Sequence, residues 1–131
     1  MEYLALVFTP AALMAVVIGT VAGVVIGAMP GLTATMAVGL LVPFTYTMDP
    51  VLGLMLLGGI YSGAMYGGSI PAILLNTPGT PAAVATALEG YPMSRQGRGR
   101  LALKISVIAS FVGGIFSVVI LLMFAPFLAK Q

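Results

Sequence analysis

Charge is nearly absent from this chain, and the way the few charges are spaced fixes the class of fold. Of 131 residues only Glu2, Asp49, Glu89, Arg95, Arg98, Arg100, Lys104 and Lys130 are charged. They leave three uncharged tracts, Tyr3 to Met48, Pro50 to Leu88 and Ile105 to Ala129. Each is longer than the roughly 20 residues that a helix needs to cross about 30 Å of hydrocarbon. Charged residues make up 6% of the chain, against roughly 25% in a soluble domain, so a water-facing surface cannot be assembled from them. The chain reads as an all-α integral membrane protein, a single membrane domain over 1–131 in contact with lipid.

Four of the five basic residues, Arg95, Arg98, Arg100 and Lys104, precede the last apolar tract. That is the topology signal of a cytoplasmic loop, placed here at 89–104; it makes nucleic acid an improbable partner and puts the far end near Lys130 outside the cytoplasm. There is no cysteine and no histidine, which removes disulfides, thiolate and imidazole chemistry and the usual zinc ligand sets. No acid lies inside an apolar span, so neither intramembrane proteolysis nor a proton-driven rotary ring fits. No enzyme, cofactor or metal site is expected. Glu2 is the only early charge, unlike the basic leader of a secretory signal, so the first segment reads as retained. The abrupt finish after Ala125-Pro126-Phe127 reads as part of something longer.

Thr9-Pro10 is a cap followed by a proline at the first helical position, and it opens a span from Pro10 to Met29. Gly19, Gly23, Gly27 and Gly31 recur every fourth residue along it; with Gly59, Gly63 and Gly67 they read as helix-packing positions, where backbones approach closely. After Pro30-Gly31, Leu32 to Val42 offers only about 16 Å of helix before Pro43, too little to cross by itself. Asp49-Pro50 opens a second span. The tract behind it is too long for one helix, and two breaks are predicted, at Gly67-Gly68-Ser69-Ile70-Pro71 and at Asn76-Thr77-Pro78-Gly79-Thr80-Pro81. Thr80 and Pro81 then start a short arm, Ala82 to Leu88, that Glu89-Gly90-Tyr91-Pro92 ends. Ile105 to Leu128 is the last span. The fold is therefore one of transmembrane helices interrupted by Pro-Gly breaks, with short re-entrant or half-helix arms.

Broken backbone is not tolerated against lipid, because each unpaired amide or carbonyl there costs several kcal/mol. Two breaks resemble each other, Met29-Pro30-Gly31-Leu32-Thr33-Ala34-Thr35 and Thr77-Pro78-Gly79-Thr80-Pro81-Ala82-Ala83, and read as a repeated unit. Interrupted helices of matching kind point to a transporter site, where half-helix amino ends hold anions and freed carbonyls coordinate cations. The candidate substrate- or ion-binding residues are Pro30, Gly31, Thr33, Thr35, Ser69, Asn76, Thr77, Pro78, Gly79 and Thr80. Tyr61 and Tyr66 read as interfacial anchors, and Arg95, Arg98, Arg100 and Lys104 as topology determinants.

Three ordered motifs carry a family resemblance: Gly59-Ile60-Tyr61-Ser62-Gly63-Ala64-Met65-Tyr66-Gly67-Gly68-Ser69, Ile73-Leu74-Leu75-Asn76-Thr77-Pro78-Gly79, and Gly90-Tyr91-Pro92-Met93-Ser94-Arg95-Gln96-Gly97-Arg98. With the earlier Gly23 to Leu32, they resemble the large membrane subunit of tripartite tricarboxylate transporters over nearly the whole chain. Thr33 stands where the family motif commonly continues with glycine, and Glu89 where aspartate is usual before Gly-Tyr-Pro. The resemblance implies the amino-terminal portion of a multi-pass secondary carrier in the bacterial inner membrane. Such a carrier imports carboxylates by symport with sodium or protons, together with a periplasmic solute-binding protein and a small membrane subunit. The competing reading is a non-transporting scaffold or assembly subunit that packs through its glycine ladders.

Overall fold

The computed structural model describes residues 2–131, and among these there is helix but no strand. The helices are α1 Glu2–Val7, α2 Pro10–Gly27, α3 Ala34–Thr45, α4 Pro50–Gly67, α5 Ser69–Leu75, α6 Ala83–Met93 and α7 Gly99–Ala129. A wide turn at Ser94–Arg98 precedes the last of them. Three stretches are long and apolar enough to cross a membrane: Pro10–Gly27, Pro50–Leu75 and Ala83–Ala129.

The two spans α2 and α4 start in the same way. Thr9 Oγ1 accepts from the Ala12 amide at 3.3 Å and Asp49 Oδ1 from the Val51 amide at 3.0 Å, with Pro10 and Pro50 opening the helices. Small residues are buried and large ones face outward: Ala12, Ala15, Gly19, Gly23 and Gly27 of α2 are inside, while Leu13, Val17, Val21 and Val25 are exposed. This inverts a soluble core and suits lipid, where helices associate by close backbone packing rather than by hiding apolar side chains.

That packing is reciprocal. A Cβ placed on Gly19, Gly23 or Gly27 would strike, in turn, the carbonyl oxygens of Leu56, Ile60 and Ala64 on α4. One placed on Gly59, Gly63 or Gly67 would strike those of Val16, Thr20 and Val24 on α2. The helices are therefore parallel and in register, Pro10, Gly19, Gly23 and Gly27 matching Pro50, Gly59, Gly63 and Gly67 at a constant offset of 40 residues. Approach this close permits Cα–H···O contacts, each about 0.5–1 kcal/mol.

Parallel spans require the chain to come back between them, and α3 brings it back. Ala34 and Ala37 form one buried cluster with Ile60 and Ala64, flanked by Leu41, Leu56 and Leu57, and the Gly53 Cβ position lies 3.3 Å from Thr45 Cβ. The helix thus runs antiparallel along α4, and Asp49 and Val51 share a cleft with Leu6 and Thr9. A helix of 12 residues, about 18 Å, is too short to span by itself, as its sequence predicts, and returns the chain only with its two flanking turns added. Pro43 sits in its last turn, where few residues remain for the missing helical bond to disturb.

Four boundaries differ from the sequence reading. At Gly67-Gly68 there is a joint rather than a break, since Gly68 keeps helical angles (φ −62°, ψ −20°) and donates to the Ala64 carbonyl at 3.0 Å. Pro71 falls on the first turn of α5, which tolerates it. The second arm continues through Glu89-Gly90-Tyr91-Pro92 to Met93, because Gly90 is pressed against Ile73, whose Cγ1 lies 2.6 Å from the Gly90 Cβ position. Of the segment 89–104 expected to be loop, only Ser94–Arg98 departs from α-helix, with Gly97 at φ 79° making the reversal. The last helix starts at Gly99 rather than Ile105 and runs antiparallel to α4 and α5, Gly99 lying near Leu74 and Ser106 bonded to Ser69.

Neighbouring glycines separate packing from propensity. Gly59→Leu is expected to cost about 3 kcal/mol, the upper range for overpacking a rigid contact. Gly58→Leu, with open space at its Cβ position, is expected to leave stability unchanged. Thermal unfolding of the purified protein in detergent checks both, and equal melting temperatures would refute the reciprocal packing.

Candidate functional site

The Pro-Gly breaks meet at one level of the molecule. At the first, Pro30 and Gly31 occupy a turn closed by the Leu32 amide donating to the Met29 carbonyl at 3.2 Å. Gly31 has φ +91° and nothing within 4 Å of its Cβ position, so it is glycine for its backbone angle, as the third residue of a type II turn requires. Thr33 then caps α3, its Oγ1 accepting from the Met36 amide at 3.2 Å. Thr35 is exposed on the first turn of that helix.

The second break reverses the chain. Asn76 takes a left-handed conformation (φ 55°, ψ 31°), and the amides of Asn76 and Thr77 both turn back to the Pro71 carbonyl. Thr77 Oγ1 donates to the Leu75 carbonyl at 3.2 Å. Asn76, Thr77 and Pro78 are exposed, whereas Gly79 and Thr80 are buried. The Gly79 amide reaches the Gly68 carbonyl at 3.4 Å, and the Thr80 side chain covers Gly68. Gly79 has no room for a side chain: its Cβ position is 3.1 Å from Gly68 Cα, 3.2 Å from the Gly27 carbonyl oxygen and 3.5 Å from that of Leu32. The tip of the second break therefore touches both ends of the first.

Four helix ends converge here. The carboxyl end of α2 presents carbonyls that its own helix cannot pair. The amino end of α3 is capped by Thr33, and that of α6, at Ala83, follows a turn from Thr80, whose Oγ1 accepts from the Ala83 amide at 3.3 Å. The α4–α5 joint closes the back. The two short helices leave this level in opposite senses: α3 runs back along α4, while α6 runs on beside α5, from Thr80 at Gly68 to Gly90 at Ile73. Their amino ends, each worth about half a positive elementary charge, thus face the same narrow zone. No charged side chain belongs to Ala28–Ala37 or Ser69–Leu88, so the field there is that of peptide dipoles.

Along α4, Pro50 to Gly67 is 18 residues, about 27 Å of rise. The site therefore lies far from Asp49 and close to the end that carries Arg95 to Lys104.

One candidate falls elsewhere. Ser69 is buried toward α7, donating to the Tyr66 carbonyl at 2.6 Å and accepting from Ser106 Oγ at 3.1 Å. It belongs to a second feature, a cleft of about 300 Å³ between α4, α6 and α7 bordered by Ser62, Tyr66, Ser69, Thr86, Ser106 and Ser110 together with Met65, Ala82 and Ala83. Tyr66, an interfacial anchor by sequence, is half-buried there. The available signal was the spacing of Ser106, Ser110 and Ser117, which places all three on one stripe of α7. Among the described residues no group of three or more His, Cys, Asp or Glu comes together.

Residues 13–131 match the family model of the tripartite tricarboxylate transporter TctA family. The chain belongs to that family. It is thus a membrane chain of a transporter family, with three helical stretches able to span. It is also 40% identical over 122 residues to an uncharacterized 52.8 kDa protein in the TAR-I ttuC′ 3′ region of Agrobacterium vitis. That match covers 93% of this chain and 24% of the relative, so the chain spans about a quarter of the relative's length. No solved structure matches it.

Gly31→Ala is expected to lower stability by about 1 kcal/mol through its positive φ alone, since no neighbour is struck. A melting temperature equal to that of the unaltered protein would show that the turn does not hold this conformation.

Proposed function

We propose that this chain contributes to the solute pathway of a secondary carrier that imports tricarboxylates or related carboxylates by a cation gradient. The single observation that supports this most is the insertion of Gly79 between the Gly27 and Leu32 carbonyls, which joins two breaks distant in sequence into one zone. The opposed amino ends of α3 and α6 repel each other across that zone unless an anion lies between them, and a carboxylate suits the free amide donors. The carbonyls at the end of α2 suit the coupling cation, sodium or proton. Helix dipoles bind an anion without the depth of a buried salt bridge, which keeps binding reversible.

On this reading the carrier sits in the bacterial inner membrane with Arg95, Arg98, Arg100 and Lys104 on the cytoplasmic side. It works with a periplasmic solute-binding protein and a smaller membrane subunit. The scaffold alternative loses its main support, because the glycine ladders face each other inside this chain and are not free to recruit a partner.

In the full-length carrier, Asn76→Ala and Gly79→Leu are expected to abolish carboxylate uptake while membrane insertion persists. Unaltered uptake in both variants would remove the site. Saturating carboxylate and sodium are also expected to stabilise the purified carrier, by about 2.7 kcal/mol at a hundredfold excess over Kd. A scaffold would show no such gain.

A further inference from the structure

The cleft bordered by Ser69 is not isolated. A cleft of about 380 Å³ adjoins it and shares Thr86, Ser106 and Ser110 with it, and Glu89 lies on the wall of this second compartment. On the other side a larger cleft of about 740 Å³ shares Ser62, Tyr66 and Ser110, but its wall turns apolar with Val24, Phe111, Ile115 and Val118. Glu89 and a few hydroxyl-bearing side chains thus mark an otherwise largely apolar groove from the basic end to Ser110. Its middle compartment also borders Ala82 and Ala83, directly after Gly79 and Thr80 of the site described above.

Six hydroxyl-bearing residues border this space between membrane helices, and any hydroxyl among them that faces it without a partner would be costly to leave dry. The volume admits several waters, each needing about 30 Å³. Neutral oxygens with one carboxylate nearby are the ligand set of a hard, weakly held cation, which takes oxygen donors and keeps part of its water. Glu89 is the only acidic side chain after Asp49 in these 131 residues, and its carboxylate on the groove wall can draw a cation toward α6.

We propose that this groove is a wet vestibule for a sodium-like monovalent cation, entered past Glu89 and ending at the hydroxyl ring of Ser69, Thr86, Ser106 and Ser110. The proposal rests on the cation-coupled reading of the site and gives the cation a waiting position on the face of α6 opposite the Pro-Gly zone, ahead of the α2 carbonyls. The cation and the carboxylate then flank the same helix start, one on each side.

The test uses the full-length carrier with single cysteines introduced by Ser106→Cys, Ser110→Cys and, as a lipid-facing control, Ile108→Cys, the unaltered carrier giving the background. A water-requiring, membrane-impermeant thiol reagent in inside-out vesicles is expected to modify the first two at least about tenfold faster than the control. Sodium is expected to slow that reaction, while choline at equal strength does not. Reaction at the control rate would show a dry groove and overturn the proposal, as would a wet groove indifferent to sodium. Labelling does not require transport, so either result is separable from failure of the carboxylate site. In uptake assays Glu89→Gln is expected to raise the sodium concentration for half-maximal rate about tenfold, with carboxylate affinity at saturating sodium unchanged and Glu89→Asp restoring the sodium response. An unchanged sodium dependence in Glu89→Gln would also overturn the proposal.

Discussion

The backbone contact between α2 and α4 governs everything else in this molecule. With three glycines on each helix meeting three carbonyls on the other, the two spans are locked in parallel at a fixed height. Because Pro10 and Pro50 start level and Gly27 and Gly67 end level, the first Pro-Gly turn and the α4–α5 joint are forced to the same depth. A slip of one helical turn would carry Gly27 and Leu32 about 5.4 Å from Gly79 and dissolve the convergence. The glycines thus set the site, and of those on α2 Gly27 also reaches it through its carbonyl.

Much of this was legible in the residues. Caps at Thr9 and Asp49, prolines at helix starts and glycines every fourth position are local signals, and the helices they announce are where they point. The Pro-Gly breaks were legible for the same reason, since positive φ at Gly31 and a left-handed Asn76 are properties of a few residues. What was hidden depends on pairing. The direction of α3 follows from α2 and α4 being parallel, which the repeat of Pro and three glycines at a 40-residue offset encodes, yet a list of glycines does not state it. The continuation of α6 through Pro92 depends on Gly90 meeting Ile73, a contact no local pattern announces. Ser69 looked like part of the breaks because it is near them in sequence, but its helix face turns it toward Ser106.

The likeness of the two breaks holds only at their threonines, Thr33 and Thr80, each accepting from the amide three residues on. The turns differ, because Gly31 has a positive φ and Gly79 does not. The first follows α2 directly, whereas the second is separated from α4 by the seven residues of α5. Had the second reversed the chain at Gly67, the short helices would have started as symmetric neighbours, each beside its own span. The extra turns of α5 carry the reversal beyond the joint, and the chain must then double back through Asn76 to Thr80 to regain the level of Gly68. That return sends α6 onward and not back, so its amino end opposes that of α3 instead of lying parallel to it. Parallel ends would each be matched by the carboxyl end of a neighbouring helix and have no need of a ligand. Opposed ends concentrate positive potential in one place, partly offset by the carbonyls of α2, and the sign of what remains is why an anion is the fitting occupant on the proposed reading.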